Sequence, residues 1–107
     1  MSSHEVLQSL MDVIRDRQTA NPSHSYVASL LHKGDDAILK KLGEEATETV
    51  IAAKNGDPEP LVHEIADLWF HTMVLLVHKG LELEAVTDEL ARRFGVSGHA
   101  EKSARHT

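Results

Sequence analysis

The stretch EEATETVIAAKNGDPEPLVHEIAD, residues 44–67, decides the fold of this chain. Two helix-like segments flank a turn signal, in which Gly56 suits the end of one helix and Pro58 the start of the next. The stretch therefore predicts two long antiparallel helices.

Five carboxylates lie in this stretch, in two groups, and they are Glu44, Glu45 and Glu48 before the turn and Glu64 and Asp67 after it. At about 100° per residue, Glu45 and Glu48 are roughly 60° apart around their helix, as are Glu64 and Asp67 around theirs. Each pair therefore points in one direction. A turn centred between positions 57 and 58 would place Glu48 opposite Asp67.

The second helix is apolar around nearly its whole circumference, which predicts that it is buried. Its polar residues fall on one narrow line, formed by Glu64, Asp67, His71 and His78. Buried carboxylates held together repel each other unless a cation neutralises them. Oxygen ligands suit Mg²⁺, which takes one or two carboxylates per ion. We therefore expect a metal site with more than one Mg²⁺ ion.

The composition narrows the possible functions. At 107 residues we expect one domain spanning residues 1–107, with residues 95–107 as a C-terminal tail. The lack of cysteine excludes disulfides, a thiolate nucleophile and Cys-ligated zinc. A net charge of −6 argues against a nucleic-acid partner. With no signal-peptide core, and an apolar run around Trp69 that is too short and too polar to span a bilayer, we expect a cytoplasmic protein without a membrane partner.

The remaining segments also read as helices, so the predicted fold class is all-α. Helical spacing extends from Ser3 to Thr19, with Ser3 as a candidate N-cap, and shorter helices are expected over residues 25–32 and 83–94. Asp35 or Asp36 could cap the first long helix. The first long helix carries an apolar stripe, and the second has more apolar surface than these short helices can cover. We therefore expect a second copy to complete the core as a four-helix bundle. The stripe comprises Ile38, Leu39, Leu42, Ala46, Val50 and Ala53.

Other interpretations of the acids are weaker. Glu44, Glu45 and Glu48 could be a solvated face with ion pairs to Lys40 and Lys41, but that does not explain an acid inside an apolar helix. The sequence His63–Asp67 resembles a zincin box but lacks its second histidine. No Glu-x-x-His motif of a di-iron bundle occurs near the acids. The histidines of the polar line suit a supporting role beside the site, and Trp69 suits the core.

Two runs carry a family resemblance, ILKKLGEEATE at residues 38–48 and EIADLWFH at residues 64–71. Together they resemble the phosphoribosyl-ATP pyrophosphatase family of histidine biosynthesis, a branch of the MazG-like all-α nucleotide pyrophosphohydrolases. Ser25-Tyr26 and Lys33-Gly34 look like that family's upstream segment, and Glu101-Lys102 with Arg105 is similar to its C-terminal signature. His99-Ala100 and Ser103 depart from that signature.

The resemblance implies Mg²⁺-dependent hydrolysis of the α–β phosphoanhydride of phosphoribosyl-ATP, giving phosphoribosyl-AMP and pyrophosphate without a protein nucleophile. It implies that the ions are held by Glu45, Glu48, Glu64 and Asp67, with Glu44 as a further ligand or a residue that orients water. For the phosphate oxygens we expect contacts with basic residues: Lys41, which lies one helical turn before Glu45, Lys33 and Lys40 by their charge, and Lys102 and Arg105 by the resemblance.

Family members occur alone or fused to phosphoribosyl-AMP cyclohydrolase, and this chain is too short for the fusion, so we expect the cyclohydrolase to be a separate enzyme. Two other functions stay open. One is a house-cleaning pyrophosphatase of the same fold that acts on a free nucleoside triphosphate. The other is a non-catalytic helical dimer whose acids bind a metal for stability.

Overall fold

The computed structural model describes residues 1–94, which form five α-helices and one short 3₁₀ turn. No β-strand occurs in this part of the chain, so the prediction of an all-α, MazG-like fold is confirmed. The tail at residues 95–107, with Lys102 and Arg105, lies outside the described residues. The helices are α1 (Ser3–Asp16), α2 (Tyr26–Lys33), α3 (Asp35–Asn55), α4 (Pro58–His78) and α5 (Leu83–Arg92), and the 3₁₀ turn spans Arg17–Thr19.

The centre of the fold is the antiparallel pair of α3 and α4, which make the most extensive contact between any two described helices. Helix α3 ends at Gly56, whose φ of 84° lies in the left-handed region that favours glycine. Asp57 then caps α4 by accepting a hydrogen bond from the Glu59 amide at 3.2 Å, with Pro58 in the first turn. The turn predicted from the sequence is confirmed.

The junction between α2 and α3 differs from the prediction. Gly34 occupies the N-cap position of α3, and no side chain caps this helix, so the prediction that Asp35 or Asp36 does so is wrong. Asp35 instead lies in the first turn and links α3 to the far end of α4. Its carboxylate contacts His78 Nε2 at 2.9 Å and Lys79 Nζ at 2.8 Å. The Asp35 carboxylate is thus engaged by residues at the end of α4 rather than by the backbone of α3.

The helix α1 also starts one residue away from its predicted cap. Ser2 rather than Ser3 is the N-cap, and its hydroxyl accepts a hydrogen bond from the Glu5 amide at 3.1 Å. At the other end of the chain, α5 stops at Arg92, two residues before the predicted Phe94. Such one- and two-residue differences are normal at helix ends.

The hydrophobic core lies around the C-terminal part of α4, where α1, α2 and the start of α3 pack against it; α5 contacts α1 and adds Leu83 to this core. Because these helices leave one side of the first and middle turns of α4 uncovered, Val62 is 65% exposed and Trp69 is 56% exposed. The prediction that Trp69 is a core residue is therefore wrong for a single chain. Val50 on the apolar stripe of α3 is likewise 62% exposed. The buried core residues are Met11, Ile14, Leu30, Ile38, Met73, Val74, Val77 and Leu83.

Helix α4 is also long and apolar enough, by length and composition alone, to cross a membrane. The apolar run around Trp69 is predicted to be too short to span a bilayer, but the helix that contains it has 21 residues, which is long enough. One such helix is weak evidence, and α4 instead packs along α3 with Glu64 and Asp67 within its length. It does not indicate a membrane protein.

Two glycines of the α2–α3 region are expected to respond to alanine in opposite directions. Gly34 has φ 88° and ψ −158°, a conformation that is essentially restricted to glycine, so Gly34→Ala should cost about 1–3 kcal/mol of unfolding free energy. Gly43 lies inside α3, where an added Cβ meets nothing within 4 Å, so Gly43→Ala should stabilise by about 0.5–1 kcal/mol. Denaturant unfolding of both variants measures the pair. A neutral Gly34→Ala variant would contradict the role assigned to this junction.

Candidate active site

Three carboxylates from α3 and α4 converge where the two helices face each other. One carboxylate oxygen from each of Glu45, Glu48 and Glu64 lies within 4.8 Å of the other two. Glu45 is only 5% exposed, Glu64 is half-buried and Glu48 is exposed at the rim. We call these three residues the acid cluster. It has an enclosed base and an open side through which a ligand could enter.

Two oxygens of the acid cluster are buried without a hydrogen-bond donor. They are Oε2 of Glu45 and Oε2 of Glu64, and no other side-chain polar atom of the described residues shares this condition. A buried, unpaired carboxylate oxygen is costly unless it meets a cation or takes up a proton. Oxygen donors in this number suit a hard divalent cation. The residues present therefore fit Mg²⁺.

The electrostatics of the acid cluster without a cation also favour a bound Mg²⁺ ion. A hydrogen bond with Glu48, which needs a proton on one of the two groups, together with burial raises the pKa of Glu64 to about 6. Burial raises the pKa of Glu45 as well, and the negative charges of Glu48 and Asp67 add to this effect. The chain thus holds these acids closer together than their charges favour.

This crowding predicts that the metal-free protein becomes more stable on mild acidification. A carboxyl group whose pKa is higher in the folded than in the unfolded chain binds more protons when folded. The contribution of Glu64 to the free energy of unfolding should therefore rise as the pH falls through about 6. It should reach its full value below about 4.5. The measurement is the thermal midpoint in EDTA at pH 7 and pH 5, for the wild type and for Glu64→Gln.

The difference between those two proteins isolates Glu64 from the eight histidines of the chain. The wild type should gain more from pH 7 to pH 5 than Glu64→Gln does, and saturating Mg²⁺ should remove that difference. An equal response of the two proteins in EDTA would show that Glu64 is not crowded. The lowered pKa of Glu89, about 2 because of its hydrogen bonds with Arg92 and Arg93, acts only at lower pH.

Asp67 lies beside the acid cluster, one helical turn along α4. Its Oδ2 is 3.3 Å from Nε2 of His63, and these two residues form a second ligand-like group with Glu64. Glu48 shares its group with Glu64 and not with Asp67, the residue it is predicted to face. His63 was not predicted to take part, although its i,i+4 spacing to Asp67 was a usable signal.

Lys41 is the basic residue that the structure brings to the acids. Its Nζ lies 3.4 Å from Oε2 of Glu44 and 3.9 Å from Oε1 of Glu45. The half-buried Glu44 therefore contacts the lysine and is not part of the acid cluster. Lys33 and Lys40 are exposed and form no ion pair with any residue between 1 and 94. For Lys102 and Arg105, the role in phosphate binding stays a prediction.

Two further residues adjoin the acids without having been predicted as a pair. The buried His71 lies one turn after Asp67, and its Nδ1 is 2.8 Å from the Asp67 backbone oxygen. Its Nε2 is 2.8 Å from the hydroxyl of Tyr26, the first residue of α2. The 45 positions that separate the two residues leave no spacing signal, so only the fold could reveal this contact.

Comparison with known proteins gives a consistent result. The model of the phosphoribosyl-ATP pyrophosphohydrolase family matches residues 7–94, which include every described acid of the site. A phosphoribosyl-ATP pyrophosphatase of Neisseria meningitidis serogroup C is 60% identical over 94% of this chain and 94% of its own. Proteins of the same name from Geobacter sulfurreducens and Methylococcus capsulatus are 57% and 56% identical, over 95% and 94% of this chain and 94% and 96% of theirs. The chain belongs to the phosphoribosyl-ATP pyrophosphohydrolase family, and the resemblance predicted from its two acidic helices is confirmed.

Proposed function

We propose that this protein hydrolyses the α–β phosphoanhydride of phosphoribosyl-ATP in a Mg²⁺-dependent reaction, giving phosphoribosyl-AMP and pyrophosphate in the second step of histidine biosynthesis. The observation that supports it best is the acid cluster, in which two buried carboxylate oxygens have no donor. The relatives that match nearly the whole chain bear the name of this activity.

The four acids nearest one another would bind the metal. Glu45, Glu48 and Glu64 would hold Mg²⁺, with Asp67 completing the ligand set from the next turn of α4. More than one ion is expected, because this number of carboxylates exceeds what one Mg²⁺ takes. When bound, Mg²⁺ would offset the charge on the phosphate oxygens and lower the pKa of a water molecule. A water nucleophile suits a chain that contains no cysteine.

Lys41 and Glu44 would act at the edge of the acid cluster. The Lys41 ammonium group is partly exposed and is the described cation nearest the acids, so it is placed to bind a phosphate oxygen. Glu44, within hydrogen-bond reach of Lys41 at 3.4 Å, would keep that ammonium group in place or orient the attacking water. Lys33 and Lys40 are proposed as further phosphate contacts because of their positive charge, and Lys102 and Arg105 because of the resemblance.

The uncovered apolar surface supports a homodimer. On α4, Val62, Ala66 and Trp69 form an exposed stripe at helical spacing, on the side of the helix opposite Glu64. The exposed Val50 lies on the apolar stripe of α3. A second copy that packs its own helix pair against these stripes would give the predicted four-helix bundle and remove them from water.

The proposal also covers the partners and the cellular location of the protein. The relatives are matched over 94–96% of their lengths and so have no room for a fused cyclohydrolase domain. We therefore infer that phosphoribosyl-AMP cyclohydrolase is a separate enzyme that uses the product. A small nucleotide substrate, a net charge of −6 and a biosynthetic role support a cytoplasmic location without nucleic-acid or membrane partners.

The test is a comparison of kcat/KM for phosphoribosyl-ATP, ATP and dUTP under identical Mg²⁺ concentrations. We expect a preference of about 100-fold or more for phosphoribosyl-ATP, because a site shaped for the phosphoribosyl group rejects nucleotides that lack it. Equal or faster turnover of a free triphosphate would instead identify a house-cleaning pyrophosphatase. No turnover of any of the three would leave the acids with a structural metal role.

A further inference from the structure

The contact between Tyr26 and His71 fixes the direction of a hydrogen-bond chain. His71 Nδ1 lies 2.8 Å from the Asp67 backbone oxygen, which can only accept, so this nitrogen carries a proton. In the neutral imidazole, Nε2 of His71 is then an acceptor. The Tyr26 hydroxyl, 2.8 Å away, must donate to it.

Because Tyr26 donates its only hydroxyl proton to His71, it can form a further hydrogen bond only as an acceptor. Its oxygen can still accept a hydrogen bond, but it has no second proton to donate. A phosphate oxygen is therefore not a suitable partner, because it too is an acceptor. The partner must be a group that donates a hydrogen bond, and a nucleotide offers such groups in its sugar hydroxyls.

The Tyr26 oxygen is linked to the acid site through His71, whose two ring nitrogens contact the Tyr26 hydroxyl and the backbone oxygen of Asp67. The charges of Lys41, Glu45, Glu44 and Asp67 all act on the Tyr26 phenol, so it lies within electrostatic reach of the acid site. Burial is the main factor that raises its pKa, which keeps the hydroxyl protonated at neutral pH. Even so, the residue is 53% exposed, and a ligand held at the acids can reach it.

The ring of Tyr26 has little freedom to leave this position. Tyr26 is the first residue of α2, and the preceding Ser25 caps that helix by accepting from the Ala28 amide at 3.1 Å. The Tyr26 ring meets the His71 ring edge-on at a centroid distance of 5.9 Å. His71 in turn is packed against Phe70 at 5.3 Å and is 5% exposed. The hydroxyl is thus positioned before any ligand arrives.

We propose that Tyr26 contacts the substrate, with its hydroxyl oxygen accepting a hydrogen bond from a hydroxyl of the ribose that bears the reacting phosphates, and that His71 is the positioning residue that orients this oxygen. This inference rests on the proposed function and adds a residue for sugar recognition to it. The ribose attached to the α-phosphate carries the sugar hydroxyls that are closest, within the substrate, to the phosphoanhydride that is cleaved, so these hydroxyls are preferred over donors further from that bond.

The test measures kcat and KM for wild type and Tyr26→Phe with phosphoribosyl-ATP and with its 2′-deoxy and 3′-deoxy forms, altered in the ribose of the ATP part. Loss of one neutral hydrogen bond should raise KM of Tyr26→Phe for phosphoribosyl-ATP roughly 3- to 10-fold, with kcat within about twofold. The wild type should lose a similar factor with one of the deoxy forms. Tyr26→Phe should lose nothing further with that same form.

His71→Leu tests the positioning role, because leucine has no hydrogen-bond acceptor and leaves the Tyr26 hydroxyl without a partner. It should reproduce the KM effect, and Tyr26→Phe combined with His71→Leu should be no worse than either alone. Thr87→Val on α5, which deletes a hydroxyl far along the chain from the acids, serves as a control and should match wild type.

Several results would overturn the inference while leaving the proposed function intact. One is an unchanged KM of Tyr26→Phe, and another is an effect of that substitution on kcat alone. A third is that both deoxy substrates raise the KM of Tyr26→Phe by the same factor as they raise that of the wild type. By contrast, a wild type that does not turn over phosphoribosyl-ATP would overturn the proposed function and this inference together.

Discussion

Glu45→Gln is expected to lower kcat/KM for phosphoribosyl-ATP about 10³-fold, which corresponds to several kcal/mol of lost charge stabilisation in the transition state. Glu45 is the most buried carboxylate of the acid cluster, and one of its oxygens has no hydrogen-bond donor. The amide keeps the shape of the side chain but removes a negative charge that the cation needs. Steady-state kinetics at saturating Mg²⁺ and a Mg²⁺ titration followed by calorimetry measure the two consequences.

The folded chain should survive this change and even gain stability without metal. Glu45 is crowded by Glu48 and Asp67, so removal of its charge relieves repulsion in the metal-free state. The matched control is Glu84→Gln, which makes the same replacement at an exposed position of α5 and should retain full activity. A fully active Glu45→Gln protein would contradict the assignment of the acid cluster.

Trp69→Glu is expected to convert the proposed dimer to a monomer at concentrations where the wild type is dimeric. Trp69 is a large apolar side chain left 56% exposed by its own chain, on the stripe of α4 that faces away from the acids. Tryptophan at the centre of an interface typically contributes 2 kcal/mol or more, so the dissociation constant should rise by roughly 30-fold or more. Sedimentation equilibrium of both proteins measures it.

Val86→Glu is the control for that substitution. Val86 is 39% exposed on α5, outside both stripes, and the same glutamate there should leave the association state unchanged. A wild type that sediments as a monomer at micromolar concentration would contradict the dimer directly. So would a Trp69→Glu protein that remains a dimer.

Most of the helical architecture follows from local signals in the sequence. Gly56 followed by Asp57 and Pro58 is a local turn signal, and the structure has the left-handed Gly56 and the Asp57 cap that this signal predicts. Asp35 shows the opposite case. It was a reasonable cap by type and position, but His78 and Lys79 at the far end of α4 provide stronger partners. Such partners cannot be identified from neighbouring residues.

The burial of α4 was overestimated for a related reason. Its apolar circumference correctly indicates that the helix needs cover, but not which chain provides it. The short helices α1, α2 and α5 reach only the half that contains Met73, Val74 and Val77. Trp69 and Val62 are left outside. An apolar pattern thus shows that a helix surface needs to be buried, but it does not show which element or chain buries it.

The candidate site was predictable to the extent that it depends on helix periodicity. The 60° spacing within each helix was enough to bring Glu45, Glu48 and Glu64 to one place. The exact pairing across the turn was not, because a shift of one or two residues in the turn exchanges Asp67 for Glu64 opposite Glu48. Tyr26 and His71 meet only through the packing of α2 on α4, which no spacing rule describes.

The most direct test of the central claim is the analysis of products from phosphoribosyl-ATP incubated with the wild-type protein, in Mg²⁺ and in excess EDTA. If the acid cluster carries out the proposed reaction, phosphoribosyl-AMP and pyrophosphate form in equal amounts with Mg²⁺, and neither forms in EDTA. Turnover that persists in EDTA, or release of single phosphate with phosphoribosyl-ADP, would contradict it.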